Sequence, residues 1–180
     1  FKHGYNRSKG YFSKGLIGYR LSEHFFSKVY LDYYSYKGWG YGLEELYNVD
    51  GKMQGAVYGY RIFEHDKGTE RWNARIYHLQ NITNEWSLRV NSNFASDESF
   101  NNFYTSDWIK IYRDINSSVA FTRNTSVSTT RILFSRYDVF NSTDNKYSVA
   151  EMIVPSLTYS TNKIRIKKLP LYYEFSANGN

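Results

Sequence analysis

The chain has 180 residues and a formal charge of +6, and it contains 19 Tyr, 12 Phe and 4 Trp but no cysteine. Without cysteine it has no disulfide framework and no thiolate metal site in this segment, and no apolar run approaches the ~20 residues of a membrane helix. The cations are spread along the sequence with no basic block and no nucleic-acid motif, which sets nucleic acid aside.

About ten strands follow from hydrophobic period and turn chemistry. A short one near residues 1–5 precedes a strand over 11–21, where Ile17, Tyr19 and Leu21 oppose Lys14 and Arg20. Residues 25–36 set Val29, Leu31 and Tyr33 against Lys28 and Asp32, and 41–47 form a shorter strand. In 54–63, Ala56, Tyr58, Tyr60 and Ile62 alternate with Gly55, Gly59 and Arg61. Residues 71–80 put Trp72, Ala74 and Ile76 opposite Asn73 and Arg75. The clearest pattern is Trp86–Ala95: Trp86, Leu88, Val90 and Phe94 share one parity, broken only by Ser92, while Ser87, Arg89, Asn91 and Asn93 share the other. Side chains of a strand alternate between the faces of its sheet, so this strand has an oily face and a wet one. Strands over 118–123, 127–137, 149–160 and 169–177 complete the series, and a short helical piece is expected within 97–108. Only two prolines, Pro155 and Pro170, interrupt the pattern.

The connections at 22–24, 48–51, 81–84, 124–126 and 161–162 read as short, and those at 37–40, 64–70, 96–116 and 138–146 as longer. Short and long alternate, as in an up-and-down membrane barrel with tight periplasmic turns and longer outer loops. A barrel strand needs only ~9–11 residues, half of them polar, so negative mean hydropathy does not exclude the membrane. The rival is a soluble meander with uneven loops. Both ends of the sequence look cut, so the expected fold is all-β: an antiparallel up-and-down meander forming a segment of a larger transmembrane β-barrel.

Two sets of side chains follow from parity. Lys14, Lys28, Asp32, Arg61, Arg75 and Arg89 are expected to face a polar lumen, where Arg and Lys suit phosphate. On a soluble protein they would be no more than a solvated sheet face. Tyr19, Tyr33, Tyr58, Trp72 and Trp86 are expected to face lipid as interfacial aromatics, or to fill a core if the protein is a sandwich. His3, His24, His65 and His78 are scattered without metal-ligand spacing, and neither a metal nor any other cofactor is expected. Glu44 and Glu45 are neighbours on a strand and point to opposite faces, so they do not form a hydrolase pair. Asp97, Glu98 and Asp107 fall in one loop, a place where a divalent cation could bridge to an anionic lipid. The five Asn-x-Ser/Thr sequons, at Asn6, Asn81, Asn116, Asn124 and Asn141, read as chance in an Asn/Ser/Thr-rich chain. No nucleophile motif or phosphate loop is present, and no enzymatic role is expected.

Tyr33-Tyr34-Ser35-Tyr36-Lys37-Gly38-Trp39-Gly40-Tyr41-Gly42-Leu43-Glu44-Glu45 resembles the tyrosine-rich strand, charged residue, glycine and second strand early in the barrel of LptD-type lipopolysaccharide-assembly proteins. Asp50-Gly51-Lys52-Met53-Gln54-Gly55 then opens another strand, Arg71-Trp72 begins one ending in His78-Leu79-Gln80, and Ser96-Asp97 is followed by Phe100 and Phe103. Pro155-Ser156-Leu157 resembles the family's later Pro-x-Leu strand. The resemblance implies a bacterial outer-membrane translocon that receives lipopolysaccharide from periplasmic bridge proteins, through a domain outside this chain. It would release the lipid through a lateral opening between first and last strands, with an LptE-type lipoprotein as plug. Family members often carry proline in the first strands; residues 11–21 have none, and Gly15 and Gly18 are the candidates for loosening that strand instead. Two alternatives stand beside this: another outer-membrane barrel, such as a porin or solute receptor, and a soluble carbohydrate-binding β-sandwich.

Overall fold

The computed structural model describes residues 1–97, 99–104, 114–141, 143, 146–165 and 171–179. The strands in chain order are β1 (Lys2–Asn6), β2 (Gly10–Arg20), β3 (Phe25–Tyr34), β4 (Gly38–Val49), β5 (Met53–Glu64), β6 (Thr69–Asn81) and β7 (Trp86–Ala95). A single turn of helix, α1 (Phe100–Tyr104), precedes β8 (Asp114–Asn124), β9 (Ser128–Asn141) and β10 (Lys146–Thr161). The pieces β11 (Ile164–Arg165), β12 (Tyr172–Tyr173) and β13 (Ser176–Gly179) follow. Eleven strands make one antiparallel meander in the order β1 to β10 and then β13, while β11 and β12 pair with each other. Among the described residues β1 pairs only with β2 and β13 only with β10, so the sheet is not closed into a barrel.

The expected strands other than 169–177 are present; several, β4, β5 and β6 among them, are longer than their hydrophobic pattern indicated, and β3 is shorter. β4 has 12 residues because its glycines extend it: Gly40 pairs with Asp32 and Ile62, and Gly42 with Tyr30 and Tyr60. A Cβ at Gly42 would press on the Tyr60 ring at 2.8 Å, so only glycine lets that ring lie across β4. Lengthening the strands shortens the loops. The stretches read as long at 37–40 and 64–70 are turns of residues 35–37 and 65–68, and β9 runs on to Asn141. Between β1 and β10, as the described strands bound them, the connection from β7 to β8 is the long one and the others are three or four residues, so short and long loops do not alternate regularly.

The stretch 169–177 is not one strand. Its described part splits between β12 and β13, and residues 166–170 lie outside the described set. Pro155 occupies the register shift between Ile153 and Ser156 in β10, where a residue without an N–H costs no ladder bond.

Paired residues share a face, so the register sorts the side chains. One face carries α1 and is called here the covered face; the other is the open face. Tyr34, Tyr60, Ile62, Phe100 and Tyr104 form a buried cluster between sheet and helix, with Phe12, Tyr30, Tyr58 and Phe103 around it. The open face is oily: Ile17 is 64% exposed, Leu31 53%, Leu43 52% and Trp39 55%.

Candidate functional site

The covered face is built in cross-strand rows. The first, nearest the β7–β8 connection, runs Lys14, Asp32, Gly40, Ile62 and Arg71 from β2 to β6. The next includes Leu16, Tyr30, Gly42, Tyr60, Asn73 and Ala95, and the third Gly18, Lys28, Glu44, Tyr58, Arg75 and Asn93. Each strand contributes every second residue to these rows, which is why their charges converge although they lie far apart in sequence.

Arg71, at the β6 end of the first row, is the hub of an ion-pair cluster. Its Nε and Nη2 reach Asp97 Oδ2 and Oδ1 at 2.8 and 2.5 Å, its Nη1 reaches Glu64 Oε1 at 3.0 Å, and Nη2 also donates to the Ser99 hydroxyl at 2.9 Å. This two-pronged guanidinium–carboxylate contact is the strong form of the ion pair. The Tyr104 hydroxyl donates to the same Glu64 oxygen. Lys37 Nζ stands 3.5 Å from Glu64 Oε2 and 2.6 Å from Asp66 Oδ2. Glu64 is fully buried, and Asp97 and Arg71 nearly so. Burial alone would raise the Asp97 carboxyl, but bonds from Arg71, Ser96 and Ser99 outweigh it and hold the group below the ordinary aspartate range. At the rim, the bond from Lys37 does the same for Asp66, while burial and Glu64 push the Tyr104 phenol up.

A second cluster surrounds Asp32, whose Oδ2 accepts from the Tyr60 and Tyr34 hydroxyls at 2.9 and 3.1 Å, with Lys14 Nζ at 3.7 Å. Lys14 also donates to the Tyr104 carbonyl at 2.9 Å, and Lys9 donates to the Phe103 carbonyl, so two amines hold the last turn of α1. Lys9 also lies 4.6 Å from the Phe103 ring. Burial, then the nearby charges of Lys14 and Arg71, push the Lys9 ammonium down to about 8.

The third row is more open. Lys28 pairs with Glu44 at 3.2 Å, Tyr30 donates to the same carboxylate at 2.5 Å, and the Arg75 guanidinium lies 4.6 Å from the Tyr58 ring. Beyond it, Arg89 shares a row with Ala120 and Leu133. Asn116, Ser118, Arg131, Leu133, Ser135 and Glu151 line a shallow cavity of about 430 Å³ over β8–β10.

Of the residues expected on the polar side, Lys14, Lys28, Asp32, Arg75 and Arg89 share the covered face. Arg61 does not. It pairs across with Trp72 and Tyr41 on the open face, 2.7 Å from Glu70. Of the expected aromatics, Tyr19, Tyr33, Trp72 and Trp86 share the open face, and Tyr58 lies on the covered one with Lys28 and Arg75. β5 misled the parity reading because its covered side is the aromatic one: Tyr60 and Ile62 pack beneath α1, and Tyr58 beneath a guanidinium. Gly15 lies on the open face and Gly18 on the covered face, where a Cβ would meet the Phe26 ring at 2.8 Å. Glu98 and Asp107 lie outside the described residues, and Asp97 is committed to Arg71.

The partnership of Arg71, Glu64, Asp97 and Tyr104 did not follow from parity. The signal was nonetheless in the sequence: Arg71-Trp72 and Ser96-Asp97-x-x-Phe100 are runs that the family resemblance rests on, and in space they are a single unit. Ser96 N–H donates to the Trp72 carbonyl at 2.9 Å while the neighbouring side chains pair. His78 of the third such run accepts or donates with the Tyr47 hydroxyl at 2.6 Å and Gln80 at 3.2 Å. Comparison with known protein families finds no family model that matches this chain, and comparison with curated proteins finds no match either.

Proposed function

We propose that this chain is a wall segment of an outer-membrane β-barrel of the LptD type. In this reading the barrel takes lipopolysaccharide from periplasmic bridge proteins, delivers it to the outer leaflet and holds an LptE-type plug lipoprotein. The open face is the lipid side, the covered face the lumenal side, and the wall does no covalent chemistry. The observation that carries the reading is the polarity of the sheet: apart from Asp138, the buried charges of the strands lie on one face, while large apolar side chains are exposed across the other. Water-soluble proteins rarely expose so extended an apolar surface, whereas a membrane barrel requires it.

The tryptophans support the same reading. Trp72 is bonded to Ser96 past the end of β7, and Trp86 opens that strand, so the two are roughly ten residues apart in register. At ~3.4 Å per residue that is ~34 Å along the strand. At a ~40° tilt it spans ~26 Å, close to the ~25 Å apolar band between aromatic girdles. Lipopolysaccharide as cargo is supported by the order of the sequence runs, together with the Arg71–Asp97 pair that makes two of them one structural unit.

The test is tryptophan quenching in bilayers by lipids brominated at known acyl depths, comparing the wild type with Trp72→Phe and Trp86→Phe. Strong quenching by shallow bromines, diminished in each variant, is the expected result. Absence of any lipid effect would assign those rings to a protein core and favour the carbohydrate-binding sandwich. A photo-crosslinking residue at Arg89 or Arg131 then tests cargo: lipopolysaccharide adducts are expected, and their absence in an inserted protein points to a different barrel.

A further inference from the structure

We infer that the described residues that follow β7, Ser96, Asp97 and Ser99 to Tyr104, are a resident stopper of the lumen rather than part of an outer loop, and that the Arg71–Asp97–Glu64 cluster is its latch. The inference rests on the barrel reading and goes beyond it.

Segments that join strands of a barrel at the rim are expected to project into solvent. This one turns inward immediately after β7. Ser96 is tied back to Trp72, Asp97 is held by both prongs of Arg71, and Ser99 donates to Asp97 at 2.9 Å while accepting from Arg71. α1 then lies flat on the sheet, with Phe100 fully buried against Tyr60 and Ile62, and Tyr104 against Tyr34. Lys9 and Lys14, from the first two strands' side, close over its last two carbonyls. The segment therefore contacts residues contributed by β2, β3, β5 and β6 and covers that part of the polar face. The cavity over β8–β10 is left uncovered among the described residues.

The latch is electrostatic and desolvated. Six oxygens converge on the two cations Arg71 and Lys37, namely both of Asp97, both of Glu64, Oδ2 of Asp66 and the Ser99 hydroxyl, so opening the segment takes Asp97 and Ser99 from Arg71 and the Tyr104 hydroxyl from Glu64. Such a loss is severe in a dry site. The expected consequence is a two-state element: closed in the intact protein, and open when one latch member is removed. Its position makes it a determinant of which polar solutes cross the lumen.

The test is made in planar bilayers and liposomes. The 180 residues contain no cysteine, so within them Phe103→Cys and, in an exposed turn, Tyr36→Cys each add a single thiol. A polar maleimide is expected to label Phe103→Cys far more slowly than Tyr36→Cys. Adding Arg71→Ala should raise the Phe103→Cys rate about 100-fold, the shift expected when a buried ion-pair partner is removed, and raise conductance. The swap Arg71→Asp with Asp97→Arg should restore part of both. If Arg71→Ala does not insert, Asp97→Asn, which keeps the shape and removes the charge, is expected to give the same changes to a smaller degree. Insertion with equal labelling of both thiols, or with conductance unchanged in the latch variants, overturns the stopper and leaves the barrel reading intact. Failure of the wild type to insert overturns the barrel reading, and the stopper with it.

Discussion

The two halves of the sheet use the same alternation and end in different states. Where α1 lies against β3, β5 and β6, the charges of the covered face are buried, paired and hydrogen-bonded. Across β8 to β10 the corresponding face carries Asn116, Ser118, Arg131 and Glu151 around an open cavity, and β10 shifts register twice, between Val149 and Glu151 and between Ile153 and Ser156. Alternation alone therefore yields a wet face, and a connection that folds back turns part of it into a dry, specific cluster. Where that cover exists, single polar groups carry much energy. Where water remains, they carry little.

That contrast is strongest between two arginines on neighbouring strands. Arg71→Ala should cost about 3–5 kcal/mol in urea unfolding, because Glu64 and Asp97 lose a buried partner. Arg61→Ala, whose pair with Glu70 is half exposed, should cost no more than about 1 kcal/mol. Equal losses would break the distinction between covered and open surfaces. Tyr60→Phe removes a hydroxyl that donates to the buried Asp32 carboxylate and should cost about 1.5–3 kcal/mol, measured in the same way. A negligible change would mean that water reaches Asp32.

Acid provides a gentler probe of the sealed half. The Asp97 carboxyl is held below its ordinary value of 3.8, so the folded state releases this proton more readily than the unfolded chain does. Its contribution is complete above that value and is lost as pH falls through the lower, folded one. Urea midpoints taken at successive pH values below about 4 should fall for the wild type and fall less for Asp97→Asn; parallel curves would detach Asp97 from the latch. The smallest effect is expected in the open half, where Arg131→Ala should change stability by no more than about 0.5 kcal/mol. A larger loss there would show that the β8–β10 face is also covered.

Much of this architecture was legible beforehand. Trp86–Ala95 is a strand of the expected bounds, and its Arg89 and Trp86 fall on opposite faces as their parity required. β3 was equally readable, with Lys28 and Asp32 against Val29 and Tyr33. β5 was not. Tyr58, Tyr60 and Ile62 suggested an oily exterior, yet they lie on the face of Asp32 and Lys28, because a neighbouring segment supplied cover that strand periodicity cannot reveal. The loops were misjudged for a related reason: Gly38, Gly40 and Thr69, read as loop residues, are instead paired by their neighbours.

The sequence by itself determined the element type, the antiparallel meander and the two-sided character of most strands, since these depend on side-chain period and turn residues within a few positions. Only the tertiary structure decided which polar residues meet. Arg71 and Asp97 are 26 positions apart and become partners because β7 returns beside β6 and the chain then bends inward over both. That bend follows from the burial of Phe100 and Tyr104 against rings on β3 and β5, a packing choice that no local pattern encodes.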